Sequence, residues 1–489
     1  MLLTAAEMRA SEEAAFARGV SAESLMDRAG SALARAVRQF FPSPGHVVAV
    51  CGKGNNAGDA LVALAELARC GWSFEVETVF PEREFSGLAA KKFRELPPSP
   101  ARKPDPTVTV LLDGLLGIGA SGSPREPVAG AIERLNKRRS TEHAFVFAVD
   151  IPSGLDADTG EPDTPCVFAD FTVTMGHAKI GLLADSATDH VGRLVVAELP
   201  ELEAPAGACD DTLITPTTLR EVLPPPSFDS HKGMWGRVGI LAGSRGFLGA
   251  AQMCSTAALR AGGGLVTLYA LPKSYELLAR SCPPEIMVKP VESYREVLED
   301  KFDAVAIGPG IGSGQEETIV AIVKQLLIPA VVDADALNEL SRRPGFWHRF
   351  SGPRLFTPHP GEMQRLYHPA RHLKRREAAT QFASEHPLTL LLKGARTVIA
   401  DREHPVAYNT TGNPGMGSGG MGDVLTGVCA ALMARKHPPY DAARIGAWVC
   451  GRAAERSIFL KGGSPESLTA SDVLDELGGA FNDLRLGVL

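Results

Sequence analysis

Hydrophobic residues recur at helical intervals near the start of the chain. Leu25, Met26, Ala29, Leu33, Val37 and Phe40 share one face, and Thr4-Ala5-Ala6-Glu7 has capping-box spacing, so two helices are predicted within residues 4–40. Short β-rich runs then alternate with helical stretches: strands at His46–Cys51, Glu75–Phe80, Val108–Asp113 and Ala144–Asp150, helices near 57–69 and 126–137. That alternation implies crossover connections and hence a parallel sheet in an α/β domain. Periodicity lapses around Ala204-Pro205-Ala206-Gly207-Ala208, and Pro224-Pro225-Pro226 precedes a new β-rich run at Arg237–Ala242. A boundary is therefore expected at 205–215, with domains 1–207 and 208–489. The second half repeats the α/β rhythm, with strands near Leu265–Ala270, Ala304–Ile307, Ala330–Asp333, Leu388–Leu392 and Thr397–Ala400 and long helices near 249–261 and 420–434. Low complexity is confined to a Pro-rich patch at 97–106.

The length of 489 residues exceeds what one ordinary core serves, which agrees with two domains. A net charge of −7 supplies no broad positive field, so neither nucleic acid nor a membrane surface is an expected partner. The eight cysteines are scattered, with no C-x-x-C pair and no zinc spacing, and read as reduced thiols. Residues 1–18 contain acidic side chains and no signal-like apolar run, and no stretch of 18 uninterrupted apolar residues occurs. A cytoplasmic protein, homo-oligomeric in assembly, is the expectation.

In the first half, Gly52-Lys53-Gly54-Asn55-Asn56-Ala57-Gly58-Asp59 lies between an apolar strand and an amphipathic helix, where glycines let backbone N–H groups approach a ligand. It has neither Walker A nor G-x-G-x-x-G spacing. The plainer alternative is a tight turn capped by Asn55 or Asn56. Two further strands end in an Asp beside glycines: Leu112-Asp113-Gly114-Leu115-Leu116-Gly117 and Val149-Asp150-Ile151-Pro152-Ser153-Gly154. In open parallel sheets ligands bind at the carboxyl ends of strands, so three such loops can converge on one site.

These three segments, in this order, resemble the NAD(P)H-hydrate epimerase family over about residues 1–205. The resemblance implies a Rossmann-like three-layer α/β/α domain with a potassium ion at Asn56, Asp113 and Ser153. It also implies substrate contacts at Asn55, Asn56, Ala57, Gly58 and Asp59, at Gly117, Ile118, Gly119, Ala120, Ser121, Gly122 and Ser123, and at Asp150. Asp150 would move protons as the R and S hydrates interconvert. Lys179 resembles another site position, with a solvated lysine as the alternative. Ala57 and Ala60 stand where the family carries glycine. If position 57 needs a positive φ the epimerase is impaired; if it lies in the first helical turn nothing is lost.

In the second half, the Gly-rich segment Asn409–Asp423 runs into an apolar helix, a place where free N–H groups and the helix dipole stabilise a transferring phosphoryl group. Asp423 in the first turn is a candidate proton acceptor, although an Asp there commonly just supports the helix. Further motifs are His231-Lys232-Gly233-Met234-Trp235-Gly236, Gly308-Pro309-Gly310-Ile311-Gly312, Val332-Asp333-Ala334-Asp335-Ala336-Leu337-Asn338, Thr357-Pro358-His359-Pro360-Gly361-Glu362 and Leu392-Lys393-Gly394. Taken singly, Lys232 reads equally as a surface lysine, His359 as a satisfied loop histidine and Gly308–Gly310 as a turn.

Together the motifs resemble the ribokinase-like NAD(P)H-hydrate dehydratase family over about 212–489. The resemblance implies nucleotide contacts at Lys393, Gly394, Ala395, Arg396, Thr397 and Gly422, and contacts to the hydrated nicotinamide at Ala250, Gly310, His359 and Asp423. ADP or ATP with Mg2+ would phosphorylate the 6-hydroxyl of NADHX or NADPHX, Asp423 would take the hydroxyl proton, and phosphate would leave. The competing readings are a small-molecule kinase of the same fold, disfavoured by the attached first domain, and a catalytically silent first domain, disfavoured by intact Asn56, Asp113, Asp150 and Ser153.

Overall fold

The computed structural model describes residues 1–100, 108–120, 122–343 and 349–488. Most of the Pro-rich patch and Ser121 of the candidate substrate loop lie outside the described residues. The chain divides into two compact units, Met1–Leu213 and Ile214–Val488. No described helix is long and apolar enough to cross a membrane. The eight cysteines are free, five of them (Cys51, Cys166, Cys254, Cys429 and Cys450) buried.

The first unit opens with the helices Ala5–Ala17 and Ala22–Phe40. Thr4 closes the capping box: its hydroxyl accepts from the Glu7 N–H, and the Glu7 carboxylate accepts from the Thr4 N–H at 2.7 Å. Six parallel strands follow in the spatial order Ser73–Thr78, His46–Cys51, Thr109–Gly114, Phe145–Val149, Phe171–Met175, Arg193–Ala197. The order in which successive strands are added reverses at His46–Cys51, which has Ser73–Thr78 on one side and Thr109–Gly114 on the other. The crevice at such a reversal is the ligand position of an open α/β sheet. The expected strand Glu75–Phe80 sits two residues earlier, because Ser73 pairs with His46.

In the second unit the order is Ile286–Pro290, Leu265–Ala270, Arg237–Leu241, Ala304–Ile307, Ala330–Val332, Arg354–Phe356, Thr389–Leu392, Thr397–Ala400, Ala407–Asn409, parallel up to Thr389–Leu392 and antiparallel after it. Its reversal falls between Arg237–Leu241 and Ala304–Ile307. The helix Met421–Ala434 is apolar nearly all round and packs into the core with Leu248–Arg260, as an all-apolar helix must.

Candidate active sites

The helix Asn55–Arg69 starts at the first crevice. Gly54 is its N-cap and no side chain caps it, so the turn capped by Asn55 or Asn56 is not what forms. Asn56 instead points inward: its Nδ2 donates to the Leu116 carbonyl at 2.8 Å and the Val149 carbonyl at 2.7 Å, tying the helix start to two neighbouring strand ends. Its Oδ1 is left facing Gly117, where a Cβ would come within 2.4 Å. Asp113 is fully buried. Its carboxylate accepts from the Ser153 N–H at 2.8 Å, the Ser153 hydroxyl at 2.7 Å and the Leu115 N–H at 3.3 Å, while the Leu116 N–H donates to Ser153 Oγ at 2.9 Å. Burial lifts the Asp113 carboxyl to about 6, the hydrogen bonds from Ser153 and Leu115 pulling the other way. Asn56, Asp113 and Ser153 are thus gathered around Leu116.

Asp150 ends the neighbouring strand in a left-handed conformation, φ +68°. This is a backbone that Asp adopts more readily than most residues and that the surroundings must hold. Its Oδ1 accepts from the Met175 N–H at 2.9 Å, the Thr174 hydroxyl at 3.2 Å and the Lys179 ammonium. The Lys179 side chain is wholly buried, which removes the solvated alternative. It also donates to Thr174 Oγ1 at 3.2 Å and the Met175 carbonyl at 3.3 Å. The chain start seals it: Leu2–Leu3 pairs in parallel with Ala178–Lys179, Leu3 opposite Lys179. Asp59 is buried on the helix, and burial, then the charges of Asp150 and Glu12, raise its carboxyl well above the usual range. Glu12 is raised by burial and then by Asp150, with Lys179 opposing. Sequence reasoning passed over Glu12, because nothing local marks a residue of the first helix as belonging here.

Ala57 and Ala60 are both buried within the helix, and neither has a positive φ. The substitution of alanine for the family's glycine therefore costs no strain. In the following loop the Ile118 carbonyl accepts from Arg9 Nη2 at 2.7 Å, Gly119, Ala120, Gly122 and Ser123 are exposed, and the Ser123 hydroxyl donates to Asp163 at 2.9 Å.

In the second unit Gly420, at φ +91°, caps the helix Met421–Ala434 and Asp423 occupies its first turn. Burial first, then the negative charges of Asp333 and Asp335, raise the Asp423 carboxyl to about 6, with Lys393 opposing. Lys393 leaves the end of Thr389–Leu392 and donates to Asp333 Oδ1 at 2.8 Å; Asp333 Oδ2 accepts from the Thr426 hydroxyl at 2.7 Å. Burial pulls the Lys393 ammonium down, but Asp333 and Glu362 outweigh it and hold it above its ordinary value. Gly422 lies beside this pair: a Cβ there would meet Lys393 Nζ at 3.2 Å and Asp333 Oδ2 at 3.4 Å.

His359 is the N-cap of Pro360–Leu366. Its Nδ1 accepts from the Gly361 N–H at 3.0 Å, and Glu362 Oε2 accepts from the His359 N–H at 2.8 Å. That bonding fixes Nδ1 as the unprotonated nitrogen and leaves the ring half exposed. Gly310 and Ala250 meet across the strand ends, a Cβ on Gly310 coming within 3.1 Å of Ala250 Cβ. In the turn Gly394–Thr397, Ala395 is exposed, Arg396 is buried and the Thr397 hydroxyl donates to the Gly394 carbonyl at 3.0 Å. Lys232 is exposed.

Two α/β units, each with an acid and a lysine at the carboxyl ends of its strands, define a protein that acts on small polar molecules at two sites. Residues 238–476 match the family described as NAD(P)H-hydrate dehydratase, and residues 22–181 match the family described as YjeF-related protein N-terminus. The bifunctional NAD(P)H-hydrate repair enzyme Nnr of Moorella thermoacetica is 34% identical over 99% of this chain and 97% of its own length. The Nnr enzyme of Escherichia coli K12 is 36% identical over 91% and 87%. The ADP/ATP-dependent NAD(P)H-hydrate dehydratase of Bacillus subtilis, co-crystallized with ATP/Mg2+, superposes with a TM-score of 0.51 at 28% identity, covering 56% of this chain and 98% of that one. The chain belongs to the family of bifunctional NAD(P)H-hydrate repair enzymes.

Proposed function

We propose that this chain restores damaged nicotinamide cofactor: the domain 1–207 interconverts the R and S hydrates of NADH and NADPH, and the domain 208–489 dehydrates the S form at the expense of ADP or ATP. The observation that carries the reading is Asp423, a half-buried carboxyl raised to about 6 in the first turn of a Gly-capped helix, beside the Lys393–Asp333 pair. A carboxyl raised that far is still ionised at neutral pH and is a better base than an ordinary one.

Hydroxide is a poor leaving group. Asp423 accepts the proton of the 6-hydroxyl as its oxygen takes the terminal phosphoryl of the nucleotide, and phosphate then departs with loss of the C5 proton, leaving the dihydronicotinamide. Lys393, Gly394, Ala395, Arg396, Thr397 and Gly422 hold the nucleotide in this reading, and Ala250, Gly310 and His359 the hydrated ring. Mg2+ supplies charge neutralisation at the phosphates when bound, with Asp333 and Asp423 the carboxylates beside Lys393.

In the first domain Asp150, held by Lys179, moves the proton at the hydrated carbon. Asn56, Asp113 and Ser153 offer amide, carboxylate and hydroxyl oxygens, the donor set a hard cation such as K+ takes, and the buried Asp113 carboxylate would be eased by one. The ion supplies a fixed positive charge near the substrate. In this reading Asn55, Asn56, Ala57, Gly58 and Asp59, with Gly117, Ile118, Gly119, Ala120, Gly122 and Ser123, contact the hydrated substrate. The partners are small molecules, NADHX, NADPHX and ADP or ATP, in the cytoplasm. A purified mixture of R and S hydrates, given the chain with ADP or ATP, should regain the near-ultraviolet absorbance of dihydronicotinamide in full. Recovery of the S fraction alone would retire the epimerase half, and no recovery would retire the dehydratase half.

A further inference from the structure

The turn Ser244–Phe247 leaves the second sheet at its reversal and leads into the helix Leu248–Arg260, with Phe247 as N-cap. The Phe247 N–H donates to the Ser244 carbonyl at 2.8 Å, which fixes the turn. Phe247 is 59% exposed, although a phenylalanine gains from leaving water. Opposite it lies the loop from Gly308 to Gly312. Gly310 has φ +61°, and a Cβ there would come within 2.8 Å of Phe247 Cβ and 3.0 Å of its carbonyl oxygen. A bare peptide therefore meets the base of the aromatic side chain at the carboxyl ends of the strands. An apolar ring beside glycine backbone is a platform for a flat ligand, since every planar π system presents a face to stack on.

We propose that Phe247 is a substrate-stacking and specificity-determining residue of the second unit, its ring covering the planar N1–C2=C3–carboxamide portion of the hydrated nicotinamide. The inference rests on the dehydratase reading. Its neighbours choose the ligand: Phe247 adjoins Gly310 and Ala250, the positions assigned to the hydrated ring, whereas the positions assigned to the nucleotide cluster about Lys393. No bond forms or breaks at Phe247, so its contribution falls on binding and on the choice of a flat, conjugated ring.

Phe247→Ala, Phe247→Leu and Phe247→Tyr in the full chain, assayed with the S hydrate at saturating ADP and then with ADP varied, test this. Phe247→Ala should raise KM for the hydrate about 10–100-fold, as loss of an aromatic stacking partner does. Phe247→Leu should recover little of it, Phe247→Tyr nearly all, and the nucleotide KM should stay where it was. Because the side chain is exposed, the thermal midpoint should not move. Repeating the assay with the hydrate of the reduced mononucleotide, which lacks the adenylate half, separates the two ends of the substrate. A persistent Phe247→Ala defect supports stacking on the nicotinamide end, and its disappearance overturns the inference in favour of the adenine. An unchanged hydrate KM in Phe247→Ala, or a shift in the nucleotide KM alone, also overturns it. Calorimetric binding of the S hydrate keeps the two readings apart: wild type that binds but does not turn over refutes the dehydratase reading, while hydrate affinity indifferent to Phe247→Ala refutes the stacking.

Discussion

The two units use the same parts, an aspartate and a lysine at the carboxyl ends of parallel strands, and wire them differently. In Met1–Leu213 the buried Lys179 bonds directly to Asp150, and the Met175 N–H and Thr174 hydroxyl complete the hold. In Ile214–Val488 the lysine is engaged elsewhere: Lys393 bonds to Asp333, and no described residue donates a hydrogen bond to the Asp423 carboxylate. A paired, oriented carboxylate suits a proton transfer that must run in both directions between two epimers. A half-buried carboxyl without a donor is raised in proton affinity and suits a base that takes a proton once per turnover. In the proposed mechanism, which carboxylate the lysine partners, more than which residues are present, separates the two chemistries.

The largest break in this comparison comes from removing each proposed base in turn. Asp423→Asn should lower dehydration of the S hydrate by about 10²–10⁴-fold, and Asp150→Asn should lower epimerisation by a like amount while dehydration of the S form persists. On a mixed hydrate the Asp150→Asn chain stalls after the S fraction; progress through both forms at wild-type speed would make Asp150 structural. The wiring itself is tested by stability. Lys179→Met strips a buried carboxylate of its partner and should cost about 3–5 kcal/mol in urea unfolding. Lys393→Met should cost less, because the Lys393 side chain is 21% exposed and that of Lys179 is wholly buried. Equal losses would mean the two lysines are wired alike.

The pH profile sharpens the second unit. Asp423 must be ionised to accept a proton, and its carboxyl is raised to about 6, so kcat/KM for dehydration should be full well above pH 6 and fall about tenfold per unit below it. A profile flat down to the ordinary carboxyl range near pH 4 would discard the raised base. The smallest effect tests the alanine in the first ligand loop. Ala57→Gly should cost about 0.5–1 kcal/mol of stability, the usual price of glycine inside a helix, and bring no gain in epimerisation. A faster epimerase would show that position 57 needs more than helical backbone.

Much of this molecule was legible along the chain wherever a property is local. The strands His46–Cys51, Leu265–Ala270, Ala304–Ile307 and Thr397–Ala400 fall where their apolar runs place them, and the Thr4 capping box forms as its spacing requires. Periodicity and capping involve neighbours within a turn or two, so sequence alone determines them. The motifs that placed Asp150 and Asp423 at a strand end and a helix start are local in the same sense. The strands Phe171–Met175, Arg193–Ala197, Ile286–Pro290, Arg354–Phe356 and Ala407–Asn409 were not anticipated, because what makes each a strand is the neighbour it pairs with. Tertiary structure alone decided that Lys179 is buried against an aspartate 29 positions away, that Lys393 bonds to one 60 positions away, and that Glu12 of the first helix faces Asp59 and Asp150. Burial and pairing depend on what the fold brings alongside, and a charged side chain carries no mark in sequence of whether its partner will be water or another charge.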